Sequence, residues 1–446
     1  MSRYTSATDA DRREMLGRIG AASVDELFEE IPESVRLGRP LDLPAGMAEH
    51  EVADHLSRLA ARNRHADEEV TFLGAGMYDH YVPALIDSII TRSEFLTPYT
   101  PYQPEISQGG LQVMFEFQTA ISELTGLPVA NASVYEGPSA VAAAGYMAKL
   151  ETRRGRIVVS RGVHPHSRES LVTHARGYGM EVVEVPLDER GATDLAAVAA
   201  AVDDDTACVV LQQPNFLGTV EDLGPLVEAG KATGALAVCA ADPIPLGILR
   251  PPGDFGVDIC VGEGQSLGNR LDFGGPSFGF FAARQEFIRR MPGRIAGETT
   301  DVDGKRGFVL TLQTREQHIR REKATHNICT AQALNALAGT VYLAWLGRRG
   351  IVELATLMLR RTHYAREALG LEPINPGPVA REFAVRVPDL EDFMERAREA
   401  GINPGYRLGR DYPEYADGLL VAITERRTRE QIDALAALCV RERVTA

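Results

Sequence analysis

The chain has 446 residues, of which 44% are hydrophobic and 24% are charged, and its formal net charge is −15 at pH 7. These proportions are typical of a globular protein with two or three domains, and they exclude a disordered or fibrous chain. The net negative charge argues against a large nucleic-acid interface, because such an interface needs Lys and Arg side chains to neutralise the phosphates. Five cysteines without a C-x-x-C pair indicate free thiols, and no apolar run approaches the roughly 18 residues of a membrane span. Both features favour a cytoplasmic protein without a membrane partner.

Residues 1–95 predict an N-terminal helical segment. In SVDELFEEIP, Ser23 stands three places before Glu26, which is the spacing of a capping box. The stretch MAEHEVADHLSRLAARN shows helical periodicity. After a proline-rich loop that begins at 97, LQVMFEFQTAISELTG predicts a helix that ends at Gly126.

Beyond residue 130, short β-rich apolar runs alternate with helical stretches. The runs are RIVVS, EVVEVPL, ACVVLQQ, ALAVCAA, DICVG and FGFFAA. This alternation predicts βαβ units and a mostly parallel sheet with both faces covered. We therefore expect a large α/β domain over residues 96–330, followed by long helices and a small α+β domain over residues 331–446.

This layout resembles the aspartate-aminotransferase-like enzymes, the pyridoxal-phosphate-dependent transferases of fold type I. Such enzymes need an Asp against the pyridine nitrogen and a Schiff-base Lys about 25 residues later. Asp242, at the end of a predicted strand, meets the first requirement, but GQSLGN, with Gln265 and Ser266, stands where the lysine is expected. None of the chain's four lysines follows a strand at that place: Lys149, Lys231, Lys305 and Lys323.

The segment NASVYEGPSAVAAAGYMAKL stands where enzymes of this fold hold the cofactor phosphate on a helix N-terminus. Asn131, Ser133 and Glu136 lie near the predicted helix start, and the Glu136 carboxylate would satisfy the free N–H groups and repel a phosphate. The alternative that these residues only turn the chain and cap the helix stays open. Either interpretation disfavours a bound phosphate, so we predict a degenerate cofactor pocket that also includes Asp242, Gln265 and Ser266.

Many longer motifs occur in one order along the chain: GAGMYDHYVP, TPYTPYQPEISQGGLQ, FEFQT, NASVYEG, SRGVHP, QQPNFLGTVED, VGEGQSLG, FGGPSFGFF and GETTDVDGKRGFVLTLQTREQHIRREKATHNICT. In these motifs the chain resembles the subunit 1 family of glycine dehydrogenase (decarboxylating). Members of that family are the alpha chains of the two-subunit P-protein of the glycine cleavage system. The resemblance covers nearly the whole length.

The resemblance implies an aminomethyl-transferring oxidoreductase that decarboxylates glycine and passes the aminomethyl group to the lipoyl arm of H-protein. It implies that glycine dehydrogenase subunit 2 carries the pyridoxal phosphate and its lysine, while this chain lines a shared active site. An αβ pair that forms α2β2, and contacts with other glycine cleavage proteins, are further expectations. Two alternatives stay open: a self-sufficient pyridoxal phosphate enzyme that uses Lys323, and a noncatalytic scaffold subunit.

The loop TPYTPYQPEISQGG carries the most specific site hypothesis. Its prolines recur every third residue, which is the period of a polyproline II helix, so Tyr99 and Tyr102 share one edge. We expect both phenols to project toward the partner's cofactor or the substrate carboxylate. Four neighbours are expected to line the same cleft: Gln103, Glu105, Ser107 and Gln108. The alternative is a rigid surface loop. His164 and His166 are interpreted as turn residues, with stacking on a cofactor as the alternative. No set of side chains has metal-ligand spacing.

Overall fold

A computed structural model describes residues 6–329 and 331–439. The chain divides into two compact units, Met1–Arg64 and His65–Ala446. The first unit contains helices α1, Asp9–Ile19, and α2, Glu49–Ala60, and two short 3-10 helices, Asp25–Phe28 and Glu33–Val35. No described residue of this unit is buried within it.

The predicted capping box at Ser23 opens only a single 3-10 turn. The Ser23 hydroxyl accepts the backbone N–H of Glu26 at 3.3 Å, as the spacing predicts. The helix does not continue, because Pro32 lacks the N–H that the next turn would need and its ring opposes helical geometry before it.

The helices of the second unit are α3, Ala84–Ile90; α4, Ser93–Leu96; α5, Gln108–Thr125; α6, Gly137–Thr152; α7, Pro165–Tyr178; α8, Leu195–Ala201; α9, Leu223–Gly230; α10, Gln317–Arg320; α11, Ala333–Leu369; α12, Leu390–Glu399; and α13, Arg429–Cys439. Helix α5 ends as predicted, with Gly126 in the left-handed conformation at φ 69° and its N–H bonded to Ser122. Within α11, Gly347 at φ 61° separates two helical stretches. None of the described helices is both long and apolar enough to cross a membrane.

The strands of the second unit are β1, Val70–Thr71; β2, Val129–Ala130; β3, Arg156–Ser160; β4, Glu181–Val185; β5, Thr206–Gln213; β6, Leu236–Ala241; β7, Ile259–Glu263; β8, Gly279–Ala283; β9, Ile295–Thr300; β10, Arg306–Thr311; β11, Glu372–Pro373; β12, Glu382–Arg386; β13, Ile402–Asn403; β14, Tyr406–Arg407; and β15, Gly418–Ala422. Seven of them form the central sheet in the order β2-β8-β7-β6-β5-β3-β4. Neighbours from β4 to β7 pair in parallel, whereas β8 is antiparallel to both of its neighbours, β7 and β2. The predicted mostly parallel sheet is confirmed.

Successive residues of the central strands belong to different apolar clusters. Phe281 and Ile259 pack in one cluster with α6 and α7, whereas Phe280 and Cys260 pack in another with α5 and α11. Because side chains alternate between the two faces of a strand, both faces of the sheet are buried. The carboxyl ends of the parallel strands therefore remain the place where loops can build a site.

A second, antiparallel sheet has the order β11-β12-β15-β14, and buried residues such as Phe383, Phe393 and Ile432 join it to α12 and α13. Strand β1 pairs in parallel with β13, so the segment expected to be helical contains a strand. Local periodicity could not indicate this, because the pairing partner lies at the other end of the chain. The domain boundaries at 95 and 330 stay predictions.

Candidate active site

A cavity of about 510 Å³ lies at the carboxyl end of the central sheet. Asp242, which follows β6, and Glu263, which ends β7, both line it. Glu136, at the start of α6, and His164, at the start of α7, line the same space. The topology thus brings together side chains from four connections, as expected where parallel strands end at one edge.

Asp242 is neutralised by a buried arginine. Its Oδ2 lies 2.5 Å from Nη2 of Arg381, whose side chain is 3% exposed. The Arg381 guanidinium also lies 3.4 Å from the centre of the Tyr78 ring, and the Tyr78 hydroxyl donates to Glu382 at 2.8 Å. Burial raises the pKa of Glu382 to about 7. Asp242 is thus already paired within the chain.

The N-terminus of α6 is occupied by two carboxylates. The N–H of Gly137 donates to Glu263 at 2.9 Å, and the N–H of Ser139 donates to Glu136 at 2.8 Å. Pro138, between them, has no N–H. Burial raises the pKa of Glu263. The free donors of the first helical turn are therefore used by side chains of the same chain.

The turn after β7 is held by Gln265. Its side-chain oxygen accepts the N–H of Tyr78 at 2.8 Å, and its nitrogen donates to the backbone oxygens of Tyr78 and Asn269 at 3.1 and 2.8 Å. Ser266, only 3% exposed, lines the cavity. None of the four lysines lines it. The place expected for a lysine therefore carries a structural glutamine and a serine.

His164 caps helix α7. Its Nδ1 accepts the N–H of His166 at 3.1 Å, and its Nε2 lies 2.9 Å from the carbonyl oxygen of Ala75, which makes Nε2 the protonated nitrogen. Burial lowers the pKa of His164 to about 4. The ring meets Phe216 edge to face, with 4.9 Å between centroids. Both ring nitrogens have partners in the fold, in accord with the interpretation as a turn residue.

The Pro-Tyr loop, residues 98–107, lies outside this cavity. Tyr99 is 74% exposed and Tyr102 is 47% exposed. The Tyr102 ring contacts His318 edge to face, and the Arg294 guanidinium lies 5.7 Å from its centre. The extended stretch ends in a 3-10 helix at Pro104–Ile106, so the polyproline period holds only up to that helix.

The other predicted cleft residues have different surroundings. Gln108 is tied to Pro104 and Phe308, with its Oε1 accepting the Phe308 N–H at 2.8 Å. Glu105 is exposed, and Ser107 precedes α5 without a capping hydrogen bond from its side chain. Gln108 therefore positions the loop against β10, and Glu105 is open to another molecule.

Asn131 and Ser133 do not line the 510 Å³ cavity. Asn131 is fully buried, and its amide donates to the backbone oxygen of Pro292 at 2.9 Å. Ser133 instead lines a small cavity of about 20 Å³ together with Tyr99 and Arg294. The structure thus separates the six residues assigned to one degenerate pocket: Glu136, Asp242 and Ser266 line the large cavity, Gln265 supports its wall, and Asn131 and Ser133 lie elsewhere.

Several buried polar atoms near the Pro-Tyr loop have no hydrogen-bond partner among the described residues. They are Oγ1 of Thr100, Oγ of Ser133, Oγ1 of Thr325 and both ring nitrogens of His326. Burial, with Arg315 and Arg294 nearby, lowers the pKa of His326 to about 4. Buried polar groups in folded proteins nearly always have partners, so this group of atoms indicates a face completed by another molecule or by water.

Sequence reasoning missed Arg381, Tyr78 and the second carboxylate, Glu263. Arg381 and Tyr78 stand far from Asp242 in the chain, and no local pattern indicates that they meet. The position of Glu263 could have been predicted, because an acidic residue at the carboxyl end of a buried parallel strand lies at the same edge of the sheet as Asp242.

Comparisons with known proteins match nearly the whole chain and point to one family. A family model described as the glycine cleavage system P-protein matches residues 2–439. A relative from Carboxydothermus hydrogenoformans, named probable glycine dehydrogenase (decarboxylating) subunit 1, is 53% identical over 436 residues, 97% of this chain and 98% of its own length. A relative of the same name from Moorella thermoacetica is 51% identical over 439 residues, 97% of this chain and 98% of its own length.

The chain belongs to the glycine cleavage system P-protein family. A crystal structure of a glycine decarboxylase (P-protein) in inhibitor-bound form is 44% identical, with a TM-score of 0.88, and covers 98% of this chain and 99% of its own. A cysteine desulfurase from Escherichia coli, 15% identical, has a TM-score of 0.61 and covers 86% of this chain and 96% of its own. The predicted family and the predicted fold type I of pyridoxal-phosphate-dependent enzymes are both confirmed.

The large cavity of this P-protein chain does not fit pyridoxal phosphate. Where the fold would hold the phosphate, Glu136 and Glu263 use the donors of α6 and present negative charge. Where it would hold the pyridine nitrogen, Asp242 is paired with Arg381. No lysine lines the space to anchor an aldehyde. This chain's own pocket therefore lacks three of the features on which that cofactor depends.

Proposed function

We propose that this chain is subunit 1 of an aminomethyl-transferring glycine dehydrogenase and that it acts only with a second subunit. That partner supplies the pyridoxal phosphate, its Schiff-base lysine and the electron sink for decarboxylation. The observation that carries the proposal is the pair of carboxylates at the N-terminus of α6, in a cavity without lysine. The names of the full-length relatives, subunit 1 of glycine dehydrogenase, support it.

The Pro-Tyr loop is the surface that we assign to the shared active site. Tyr99 and Tyr102 expose their rings, and the buried polar atoms around them have no partners within the described chain. Both features suit a face that closes against another subunit. Tyr99, Tyr102 and Glu105 would face the partner's reacting groups, while Ser107 and Gln108 set the position of the loop where it enters α5.

The rest of the proposal follows the family. The acceptor of the aminomethyl group is the lipoyl arm of H-protein, and the assembly is an αβ pair that forms α2β2. We place the enzyme in the cytoplasm with the other glycine cleavage proteins. The contribution of this chain is orientation of substrate and exclusion of water at the partner's site.

The test is reconstitution. The chain is purified alone and with glycine dehydrogenase subunit 2, and glycine–bicarbonate exchange is measured with lipoylated H-protein. We expect exchange only when both subunits are present, and no yellow colour when the chain alone is mixed with pyridoxal phosphate. Full exchange by the partner without this chain would instead identify a scaffold.

Borohydride trapping distinguishes the proposal from the remaining alternative, a self-sufficient pyridoxal phosphate enzyme. After reduction in the presence of pyridoxal phosphate, peptide mapping should place the label on the partner. A label on Lys323 of this chain, with exchange activity in the absence of the partner, would identify a self-sufficient enzyme and overturn the proposal. The position of Lys323, in a short 3-10 helix that does not line the large cavity, argues against that outcome.

A further inference from the structure

The large cavity has lost the features that hold a phosphorylated cofactor, yet it remains open. Its volume of about 510 Å³ falls within the range of small-molecule sites, roughly 300–1,000 Å³. Protein interiors are otherwise packed nearly as densely as organic crystals. A pocket of this size, lined by side chains that are fixed in place, is therefore suited to a ligand of its own.

The charges that line the cavity are mostly negative. Three carboxylates line it, those of Glu136, Asp242 and Glu263, and Arg381 provides the balancing charge for Asp242 alone. His164 contributes no positive charge at neutral pH, because its protonated Nε2 faces a carbonyl oxygen and its Nδ1 accepts an N–H. The cavity thus favours a cation and opposes a phosphate.

Two hydroxyls in the wall form no hydrogen bond within the part of the chain that the structure describes. Ser167 is 4% exposed and Ser266 is 3% exposed, and both line the cavity. Neither side-chain oxygen forms a hydrogen bond with any described residue. Both oxygens face the cavity and are free to accept a hydrogen bond from, or donate one to, a polar group of a molecule that enters the space.

We propose that this cavity binds a small organic cation that carries no phosphate. Its ammonium group would lie against Glu136 and Glu263, its body against the Tyr78 ring and Val141, and its polar substituents near Ser266. The site belongs to this chain alone, and it does not depend on the proposed function or on the shared active site.

The first test compares three probes that differ by one group. Pyridoxamine carries an ammonium group, pyridoxine has a hydroxyl in its place, and pyridoxamine 5′-phosphate adds the phosphate. Each is titrated calorimetrically into the purified full-length chain at pH 7. We expect saturable binding of pyridoxamine, at least about tenfold tighter than that of either other probe. The carboxylates of the cavity attract its ammonium group, which pyridoxine lacks, and repel the phosphate of the ester. Absence of pyridoxamine binding, or equal binding of the phosphate ester, would overturn the proposal.

Variants locate the binding in this cavity. Glu136→Gln and Glu263→Gln remove charge with little change in shape, and each should weaken pyridoxamine binding by roughly tenfold. Ser266→Ala removes a hydroxyl that the fold does not use, so it should remain folded and weaken binding by about threefold. Glu189→Gln, on the exposed turn after β4, is the matched control and should bind as the native chain does. Native-like binding by all three cavity variants, with melting temperatures unchanged, would place pyridoxamine elsewhere and contradict the proposal.

Discussion

The cavity at the end of the central sheet and the Pro-Tyr loop differ in how their polar groups are satisfied. In the cavity, Asp242, Glu136 and Glu263 all have partners within the chain. Around the loop, Ser133 and His326 have buried polar atoms with none among the described residues, and Tyr99 is exposed. The carboxylates of the cavity are satisfied within the chain, whereas polar atoms near the loop are left for another molecule or for water. Changes in the cavity should therefore act on folding and on its own ligand, and changes in the loop on the assembled enzyme.

The largest effect is expected at Arg381. Arg381→Met leaves Asp242, whose side chain is 16% exposed, without its buried counter-charge, so the free energy of unfolding should fall by about 3 kcal/mol. Urea unfolding followed by circular dichroism measures this loss. The double variant Arg381→Met with Asp242→Asn should recover part of it, because Asp242 then carries no unpaired charge. A single variant as stable as the native chain would show that the pair is not needed.

A pH dependence of stability follows from Glu382. Its pKa is raised from 4.5 to about 7 in the folded chain, mainly by burial, so the folded state holds a proton that the unfolded state releases above pH 4.5. The contribution of this group is full below about pH 4.5 and is lost as the pH rises through 7, by on the order of 3 kcal/mol. Glu382→Gln should remove this slope.

The measurement compares urea unfolding of the native chain and Glu382→Gln at pH 5, 6, 7 and 8. Other groups titrate in both proteins, so the difference between the two curves isolates Glu382. The native chain should lose stability relative to the variant as the pH rises. A constant difference across this range would show that Glu382 keeps an ordinary pKa.

An effect on turnover is expected in the loop. Tyr99→Phe with Tyr102→Phe should lower glycine–bicarbonate exchange of the reconstituted enzyme by about tenfold, the loss of one or two hydrogen bonds at a reacting site. Because Tyr99 is 74% exposed and Tyr102 is 47% exposed, the free energy of unfolding of this chain should change by less than about 1 kcal/mol. Co-purification with the partner is the control for assembly. Unchanged exchange would make the loop a structural surface only.

The smallest effect is expected from restoring an amine. Ser266→Lys places an amino group in the large cavity, but the carboxylates at α6 still repel a phosphate. The variant should therefore stay colourless with pyridoxal phosphate, and borohydride should trap no label at position 266. A yellow, trappable adduct would show that the missing lysine alone had disabled this pocket.

Sequence patterns predicted much of this molecule, and the failures have one cause. Local sequence patterns predicted the central sheet, the end of α5 at Gly126 and the absence of a lysine after β7. They did not predict the pairing of Arg381 with Asp242, because it joins residues that only the finished fold brings together. The same limit applies to Ser133, which lines the small cavity and not the large one. Nearness in sequence to Glu136 does not fix the direction of the Ser133 side chain, which lies in the connection between β2 and α6.

Strand β1 and the residues after it depend on partners at the far end of the chain. Ala75 donates its N–H to Glu382, 307 residues later, and Val70 pairs with Ile402. During synthesis at about 5–20 residues per second, this early segment waits roughly 15–60 s for its partners to leave the ribosome. Until then its edge stays unpaired, so nascent chains that stop before residue 382 should be the form of this protein that chaperones bind.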